Sequence, residues 1–125
     1  LNEELDFESM TNYSISVEAL DSVTGATSMV TVDLLVLDSN DCFPLFNKDS
    51  YNITLKENTP INSEVLQVQA NDKDTGDNGK IQYEIKNLTL SIKYFSIDSI
   101  GNIVLRNKLD FEQSTKHNLI VAATD

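Results

Sequence analysis

Apolar and polar residues alternate in short segments along most of the chain. In residues 13–19, for example, Tyr13, Ile15 and Val17 alternate with serine and glutamate. A period of two is typical of an extended strand with one buried face. The same pattern, or a short run of apolar and β-branched residues, predicts strands at 13–19, 30–36, 51–55, 66–70, 81–85, 94–97, 103–105 and 117–123.

Turn residues separate these segments. Thr24-Gly25, Asn58-Thr59-Pro60, Gly76 to Gly79 and Gly101-Asn102 are turn signals. The alternation also stops between Asp38 and Pro44, and proline disfavours a continuing central strand. Many short strands at this spacing, with no amphipathic helix pattern, predict an antiparallel β-sandwich.

The chain contains an internal repeat. Residues 1–21 align without gaps to residues 105–125, and nine of the 21 positions are identical. The shared residues include Leu-Asp-Phe-Glu at 5–8 and at 109–112, and Ala-x-Asp ending at Asp21 and Asp125. A tandem array with a period of about 100 residues is therefore predicted. The chain would contain the tail of one unit and most of a second.

Charge and composition restrict the partners. Twenty acidic residues against nine basic ones give a net charge of -11, which disfavours a nucleic-acid partner and favours cations. The longest apolar run, 119–123, is too short to cross a bilayer. The first residue is Leu1 and no signal peptide is recognisable, so we expect a piece of a longer chain. The one cysteine, Cys42, cannot form an internal disulfide.

Several segments concentrate side-chain oxygens, which are the ligands that hard cations prefer. They are Asp6-x-Glu8, Asn40-Asp41, Asp72-x-Asp74-x-Gly76-x-Asn78-Gly79 and Ala123-x-Asp125. A single Asp-x-Asp is more often a solvated acidic turn. An EF-hand is excluded, because the twelfth position counted from Asp72 is Tyr83 instead of glutamate. Three N-x-S/T sequons make Asn12, Asn52 and Asn87 candidates for N-glycosylation.

Catalytic motifs are missing. The sequence has one histidine, one cysteine, no Gly-x-Ser-x-Gly and no P-loop. A glycosidase with a carboxylate pair stays open on the residues alone, but the acidic residues fall in the oxygen clusters. We therefore predict that the protein is not an enzyme, and that His117 is an ordinary strand residue. The aromatic residues Phe43, Phe46, Tyr83, Phe95 and Phe111 are expected to pack in the core or the linker.

Taken together, the motifs resemble two adjacent cadherin repeats, both incomplete. The motifs are LDFE and A-x-D, each present twice, the segment DSNDCFP followed by Leu45-Phe46, the Glu57 of KENTP, and DKDTGDNGKIQY. They occur in the family's order and at its spacing, and they cover nearly the whole chain. The Gly-x-Asn-Gly loop and the phenylalanine of LDFE are most similar to protocadherin or Fat/Dachsous-like members.

This resemblance implies a fold and a domain arrangement. The fold is an all-β, immunoglobulin-like antiparallel Greek-key sandwich of cadherin-repeat type. Residues 1–37 would be the C-terminal strands of one repeat, and residues 38–44 the calcium-binding linker. Residues 45–125 would be the following repeat without its last strand.

The resemblance also implies three Ca²⁺ ions at the junction. Their expected ligands come from the upper repeat, the linker and the lower repeat: Asp6, Glu8, Ser39, Asn40, Asp41, Cys42, Asp72, Asp74, Asn78 and Asp125, with Ser39, Cys42 and Asn78 acting through carbonyls. Asp21, Glu57, Asp110 and Glu112 would face neighbouring junctions. The six carboxylates of this junction would balance three Ca²⁺ ions, and without metal they would repel one another. A bridging glutamate of the upper repeat is absent. The site formed by Asn40, Asp72, Asp74 and Asp125 is therefore expected to keep its affinity for Ca²⁺, and the two sites near Asp6 and Glu8 are expected to be weakened.

The implied function is calcium-dependent cell–cell adhesion or recognition. The chain would belong to the extracellular part of a single-pass plasma-membrane glycoprotein. Other cadherin repeats would be its partners in cis or trans, homophilic or heterophilic, with no nucleic acid and no small-molecule substrate. The alternative is a β-sandwich that binds proteins without calcium. Because the lower repeat would lack its last strand, residues 28–37 are also predicted to fill that place, within the chain or in a strand-swapped dimer.

Overall fold

The computed structural model describes residues 4–86 and 90–125. The chain divides into two compact units, residues 1–39 and residues 40–125. Both are built from antiparallel strands, and the described residues contain one short 3-10 helix, Leu90–Lys93, besides them. This confirms the predicted all-β antiparallel fold.

The first unit is built around a β-hairpin. Strand β1, Asn12–Leu20, pairs with strand β2, Thr27–Leu35, over nine residue pairs. Residues directly opposite each other point to the same face, so the pairs Ile15↔Val32 and Val17↔Val30 share one side. Gly25, with φ of 74°, takes the left-handed conformation in the connecting turn. The strands predicted at 13–19 and 30–36 are confirmed.

The second unit contains the other seven strands. They are β3 Leu45–Phe46, β4 Glu64–Gln67, β5 Ala70–Asn71, β6 Gln82–Ile85, β7 Phe95–Ile97, β8 Asn102–Leu105 and β9 Val121–Thr124. Among the described residues, four antiparallel ladders join them into three sheets: β3 with β5, β8 with both β4 and β7, and β6 with β9. These ladders place the start of the 72–80 loop directly after β5.

A small apolar core holds this unit together. Its buried members are Val68, Ile85, Phe95, Ile103 and Leu105, and Leu105 has no exposed surface. The core faces a sharp turn at Gly101, whose carbonyl accepts a hydrogen bond from the Val68 N–H at 2.9 Å. A Cβ at position 101 would lie 2.2 Å from the Val68 carbonyl oxygen, so only glycine fits there.

Three predictions about strands and packing were wrong. Residues 51–55 form no strand, because no described segment makes a ladder with them. The last strand begins at Val121 instead of residue 117, because its ladder with β6 ends at the pair Val121↔Ile85. Phe43 and Phe111, expected to be packed, are 68% and 64% exposed.

Strand β3 was not predicted, and β5 was not predicted as a separate strand. Strands β3 and β5 are two residues each, which is too short for an alternating pattern. The predicted strand 66–70 is divided between β4 and β5, because Val68 leaves the ladder to bond to the Gly101 turn.

Candidate metal centre

The loop that follows β5 places two aspartates. The Asp72 Oδ1 accepts the backbone N–H of Asp74 at 3.0 Å, which folds the chain into a tight turn. Gly76, with φ of 59°, continues the turn in a conformation that side chains rarely adopt. A Cβ at Gly79 would lie 2.2 Å from the Asp74 carbonyl oxygen, so the loop closes on itself only because residue 79 is glycine. The sequence thus fixes the direction of both carboxylates.

The second oxygen of each aspartate is the most informative feature of the loop. Asp72 Oδ2 and Asp74 Oδ1 are buried, and neither has a hydrogen-bond partner. Asp74 as a residue is only 7% exposed. A buried polar atom without a partner costs about 1–3 kcal/mol, and more when it belongs to a charged group. Such atoms are rare in folded proteins and require an explanation, for which a bound ion is one candidate.

The segment 41–42 approaches the same aspartate. The Cys42 backbone N–H donates a hydrogen bond to Asp74 Oδ2 at 3.2 Å. One carboxylate oxygen of Asp41, the Cys42 Sγ and one carboxylate oxygen of Asp74 all lie within 4.8 Å of one another. Hard cations such as Ca²⁺ take oxygen ligands, so the thiol is the least suitable member of this group for them.

These features fit a hard divalent cation. Two carboxylates converge, and two of the buried oxygens in the loop are unused by the protein itself. Carboxylate oxygens with a flexible, glycine-containing loop are the ligands of calcium sites. Asp72, Asp74 and Asp41 are therefore the residues that would hold the ion, and the ion would neutralise their charge.

The remaining expected ligands of this junction differ in their surroundings. Asn40 and Ser39 are exposed, and Asn78 lies in the turn, where its N–H bonds to the Thr75 carbonyl at 3.2 Å. Asp125 follows β9 and is exposed. In the described part of the chain, neither Asp72 nor Asp125 is in the cluster of Asp41, Cys42 and Asp74, and Asp72 would contribute only through its unpartnered Oδ2.

A second acidic cluster lies within residues 40–125. It consists of three carboxylate oxygens that lie within 4.8 Å of one another, one each from Glu57, Asp110 and Glu112. These are the three residues of this unit that were expected to face a neighbouring junction. The Asp110 carboxylate already accepts the N–H groups of Glu112, at 3.1 Å, and Gln113, at 3.2 Å.

In the first unit, Asp6 and Asp21 are bonded within their own turns. The Ser9 hydroxyl donates to the Asp6 carboxylate and, with the nearby Glu8 N–H, lowers the pKa of Asp6. The Thr24 hydroxyl, supported by the Val23 N–H, lowers the pKa of Asp21 in the same way. Both carboxylates are therefore ionised, as a cation ligand must be.

Two of the three sequons can be located. Asn12 and Asn52 are exposed, as a glycan would require. Asn87 lies outside the described residues. The described residues also contain no helix long and apolar enough to cross a membrane.

A profile of the cadherin domain matches residues 51–125. Protocadherin Fat 1 from Homo sapiens is 43% identical over 123 residues, which is 97% of this chain and 3% of that protein. Protein dachsous from Drosophila melanogaster is 38% identical over 124 residues, covering 97% of this chain and 4% of the relative. The chain thus spans only 3–4% of the length of these curated relatives.

Solved structures agree with the sequence comparison. The structure of mouse clustered PcdhgC3 EC1–3 has a TM-score of 0.91 at 30% identity, over 97% of this chain and 40% of that one. Mouse Cadherin-23 EC22–24 has a TM-score of 0.90 at 26% identity, over 97% of this chain and 38% of that one.

Proposed function

This chain belongs to the cadherin family, and we propose that it serves calcium-dependent cell–cell adhesion or recognition as part of the extracellular region of a single-pass plasma-membrane glycoprotein. The family and the fold are those of adhesion modules, which are not enzymes. This confirms the prediction that the chain has no enzymatic activity. The similarity to Fat and dachsous proteins also agrees with the subtype that the motifs indicated.

The proposed organisation follows the motifs. Residues 1–37 are the last strands of one repeat, residues 38–44 are the calcium-binding linker, and residues 45–125 belong to the next repeat. The ligands are those named from the resemblance, and Asn12, Asn52 and Asn87 are the candidate glycosylation sites. The observation that best supports this proposal is the pair of buried carboxylate oxygens without partners, on Asp72 and Asp74.

The proposed mechanism is electrostatic. Two like charges about 4 Å apart repel by about 1 kcal/mol in water and about 4 kcal/mol at an effective dielectric constant of 20. Asp41 and Asp74, within 4.8 Å of each other, are such a pair. When bound, Ca²⁺ would supply the compensating charge and a rigid set of bonds. The residues of the chain hold their carboxylates in place through the Asp72 turn and the Cys42 N–H.

The proposed partners are other cadherin repeats, in cis or trans, bound homophilically or heterophilically. Exchange of a strand between two copies of this chain is proposed as a further contact. In the proposed function, Ca²⁺ stiffens the junction between consecutive repeats and takes no part in catalysis.

Calorimetric titration with Ca²⁺ tests the proposal, together with small-angle scattering in Ca²⁺ and in EGTA. We expect binding at about 10⁻⁴–10⁻³ M, as in other extracellular modules, and a narrower distribution of molecular dimensions in Ca²⁺. The control is the exposed Asp77→Asn substitution in the same loop, which should leave binding unchanged, whereas Asp72→Asn should weaken it. Identical scattering with and without Ca²⁺, and no heat of binding, would instead favour a calcium-independent binding module.

A further inference from the structure

The side chain of Cys42, the only cysteine of the chain, lies among carboxylates. Its Sγ is 3.8 Å from Asp41 Oδ1, and the residue is half-buried. The Sγ, one carboxylate oxygen of Asp41 and one of Asp74 all lie within 4.8 Å of one another. These three residues belong to the second unit. We name this group of one sulfur and two carboxylates the thiol–carboxylate cluster.

Asp74 is the member of the cluster with an unused oxygen. The residue is 7% exposed, and its Oδ1 is buried without a hydrogen-bond partner. Its Oδ2 accepts the backbone N–H of Cys42 at 3.2 Å, and this bond holds the carboxylate beside the residue that carries the thiol. Carboxylates that bind metals are commonly oriented by such a hydrogen bond. The unused oxygen is therefore available to a cation that the thiol also reaches.

The charge of the cluster also favours a cation. In the part of the chain that the structure describes, the lysine ion pairs are formed with Asp77 and Glu84, so no lysine compensates Asp41 or Asp74. Asp41 is exposed, which gives an ion a path from solvent. A metal that binds the sulfur displaces the thiol proton to solvent, and the cluster then offers three negative ligands.

The donor types distinguish between classes of divalent ion. Ca²⁺ requires about 6–8 oxygen ligands, and a thiol is unsuitable for it. Zn²⁺ binds thiolate sulfur at about 2.3 Å and carboxylate oxygen at about 2.0–2.2 Å in a tetrahedron, so its sulfur–oxygen edge is about 3.5 Å long. The separation of 3.8 Å between Cys42 Sγ and Asp41 Oδ1 is close to this edge. The other separations, at most 4.8 Å, would close with a movement of about 1.3 Å or less.

We propose that Asp41, Cys42 and Asp74 bind a thiophilic divalent cation of the Zn²⁺ or Cd²⁺ type, and that this ion excludes Ca²⁺ from the two aspartates. Three ligands come from the protein and water completes the tetrahedron. Binding of the thiophilic ion is independent of the proposed calcium function, whereas the exclusion of Ca²⁺ rests on it. The two parts are therefore tested separately.

Cadmium titration tests the sulfur ligand. A Cd²⁺–thiolate bond gives an ultraviolet charge-transfer band that carboxylate ligands do not give, and Cys42 is the only thiol that can produce it. In calcium-free buffer with a reductant, we expect the parent to develop this band up to one Cd²⁺ per chain. Cys42→Ser should give no band.

The carboxylate ligands are tested in the same titration. Asp74→Asn should weaken Cd²⁺ binding by about tenfold or more, because even residues that only orient a metal ligand contribute about 10–100-fold in affinity. Asp41→Asn should do the same, and its exposed position keeps this result independent of the packing around Asp74. The matched control is Asp77→Asn, since Asp77 is exposed and pairs with Lys80. It should bind Cd²⁺ as the parent does.

Three results of the cadmium titration would overturn the site. The first is the absence of the band in the parent. The second is an unchanged affinity in both Asp74→Asn and Asp41→Asn, which would show that the thiol binds the ion without the carboxylates. The third is saturation at half an equivalent of Cd²⁺ with a dimer in size-exclusion chromatography, because the ion would then bridge Cys42 of two chains.

A calcium titration in the presence of Zn²⁺ tests the exclusion. Zn²⁺ at about ten times its Kd for the parent should raise the apparent Kd for Ca²⁺ at the shared aspartates by about tenfold. Cys42→Ser, titrated with and without the same Zn²⁺, should show little difference because it lacks the sulfur ligand. An equal effect of Zn²⁺ on both proteins, or no effect on the parent, would overturn the exclusion.

The two titrations also separate this proposal from the calcium proposal. A parent chain that gives the Cd²⁺ band and binds no Ca²⁺ would support the thiol–carboxylate site and contradict the calcium function. A parent chain that binds Ca²⁺ and gives no Cd²⁺ band would contradict only the thiol–carboxylate site.

Discussion

Asp74→Asn is the substitution that most directly tests the candidate metal centre. The asparagine has nearly the same shape and keeps an oxygen that can accept the Cys42 N–H, which Asp74 Oδ2 accepts at 3.2 Å in the parent. It removes one negative charge beside Asp41. Without Ca²⁺ we therefore expect stability within about 1 kcal/mol of the parent, since the lost repulsion and the imperfect amide contacts oppose each other.

Ca²⁺ should stabilise the parent protein more than the Asp74→Asn variant. An ion that binds only the folded state stabilises it by RT ln(1 + [L]/Kd). With Kd of about 10⁻⁴–10⁻³ M and Ca²⁺ at about 10 mM, the gain is about 1.4–2.7 kcal/mol. For a unit of this size, each kcal/mol raises Tm by about 4–8 °C, so the parent should gain about 6–22 °C.

The assay is thermal unfolding followed by circular dichroism in Ca²⁺ and in EGTA. Asp74→Asn should lose most of the calcium shift, while Asp77→Asn should keep it, because Asp77 is exposed and pairs with Lys80. The reasoning is refuted if Asp74→Asn retains the whole shift. A loss of the shift in Asp77→Asn as well would show that general loop charge, and not the two buried oxygens, accounts for the effect.

Three further predictions concern the second unit and are tested in EGTA. In a urea titration, Leu105→Ala should lower the free energy of unfolding by about 2–5 kcal/mol because Leu105 is fully buried. Leu45→Ala, at a side chain that is 58% exposed, should lower it much less, and equal losses would contradict the assigned core. Gly101→Ala should lower Tm more than Gly76→Ala, since both have positive φ but only the first Cβ meets backbone, at 2.2 Å; a larger loss at Gly76 would contradict this. The Asn102 N–H is the main cause of the lowered pKa of Asp98, so this carboxylate should stabilise the fold above the unfolded pKa near 3.8, and the stabilisation should be lost as pH falls through the lower folded pKa. Asp98→Asn should therefore reduce the slope of Tm against pH in that range. An unchanged slope would rule the effect out.

Periodicity predicted the strands whose own residues alternate between apolar and polar or form a short apolar run. The hairpin of β1 and β2 was found in this way, as were β6, β7 and β8. The periodic pattern gave a wrong prediction where strand formation depends on a partner strand outside the segment. Residues 51–55 have a strand-like composition, but a strand requires a neighbouring strand, and none of the described segments pairs with them.

The candidate site was only partly predictable. Alternating aspartates and glycines marked the 72–80 loop, and the resemblance grouped Glu57 with Asp110 and Glu112 although they are more than 50 positions apart. The burial of Asp74 could not be inferred, because it depends on the approach of Cys42, 32 residues earlier. Gly79 was part of the motif, but the sequence did not reveal that a side chain at this position would clash with the Asp74 carbonyl oxygen.

The acidic residues therefore fall into two physical groups. Asp6 and Asp110 are organised by their own sequence: each accepts the N–H two residues later at 3.1 Å, and each carbonyl accepts the N–H four residues later, at 2.9 and 3.0 Å. The identical LDFE motif forms the same turn in both units. Asp74 is different, since its burial and its bond to Cys42 exist only when residues 40–125 are folded. Binding of a cation at Asp74 is consequently coupled to the folding of that unit, while the turns at Asp6 and Asp110 require only their local sequence.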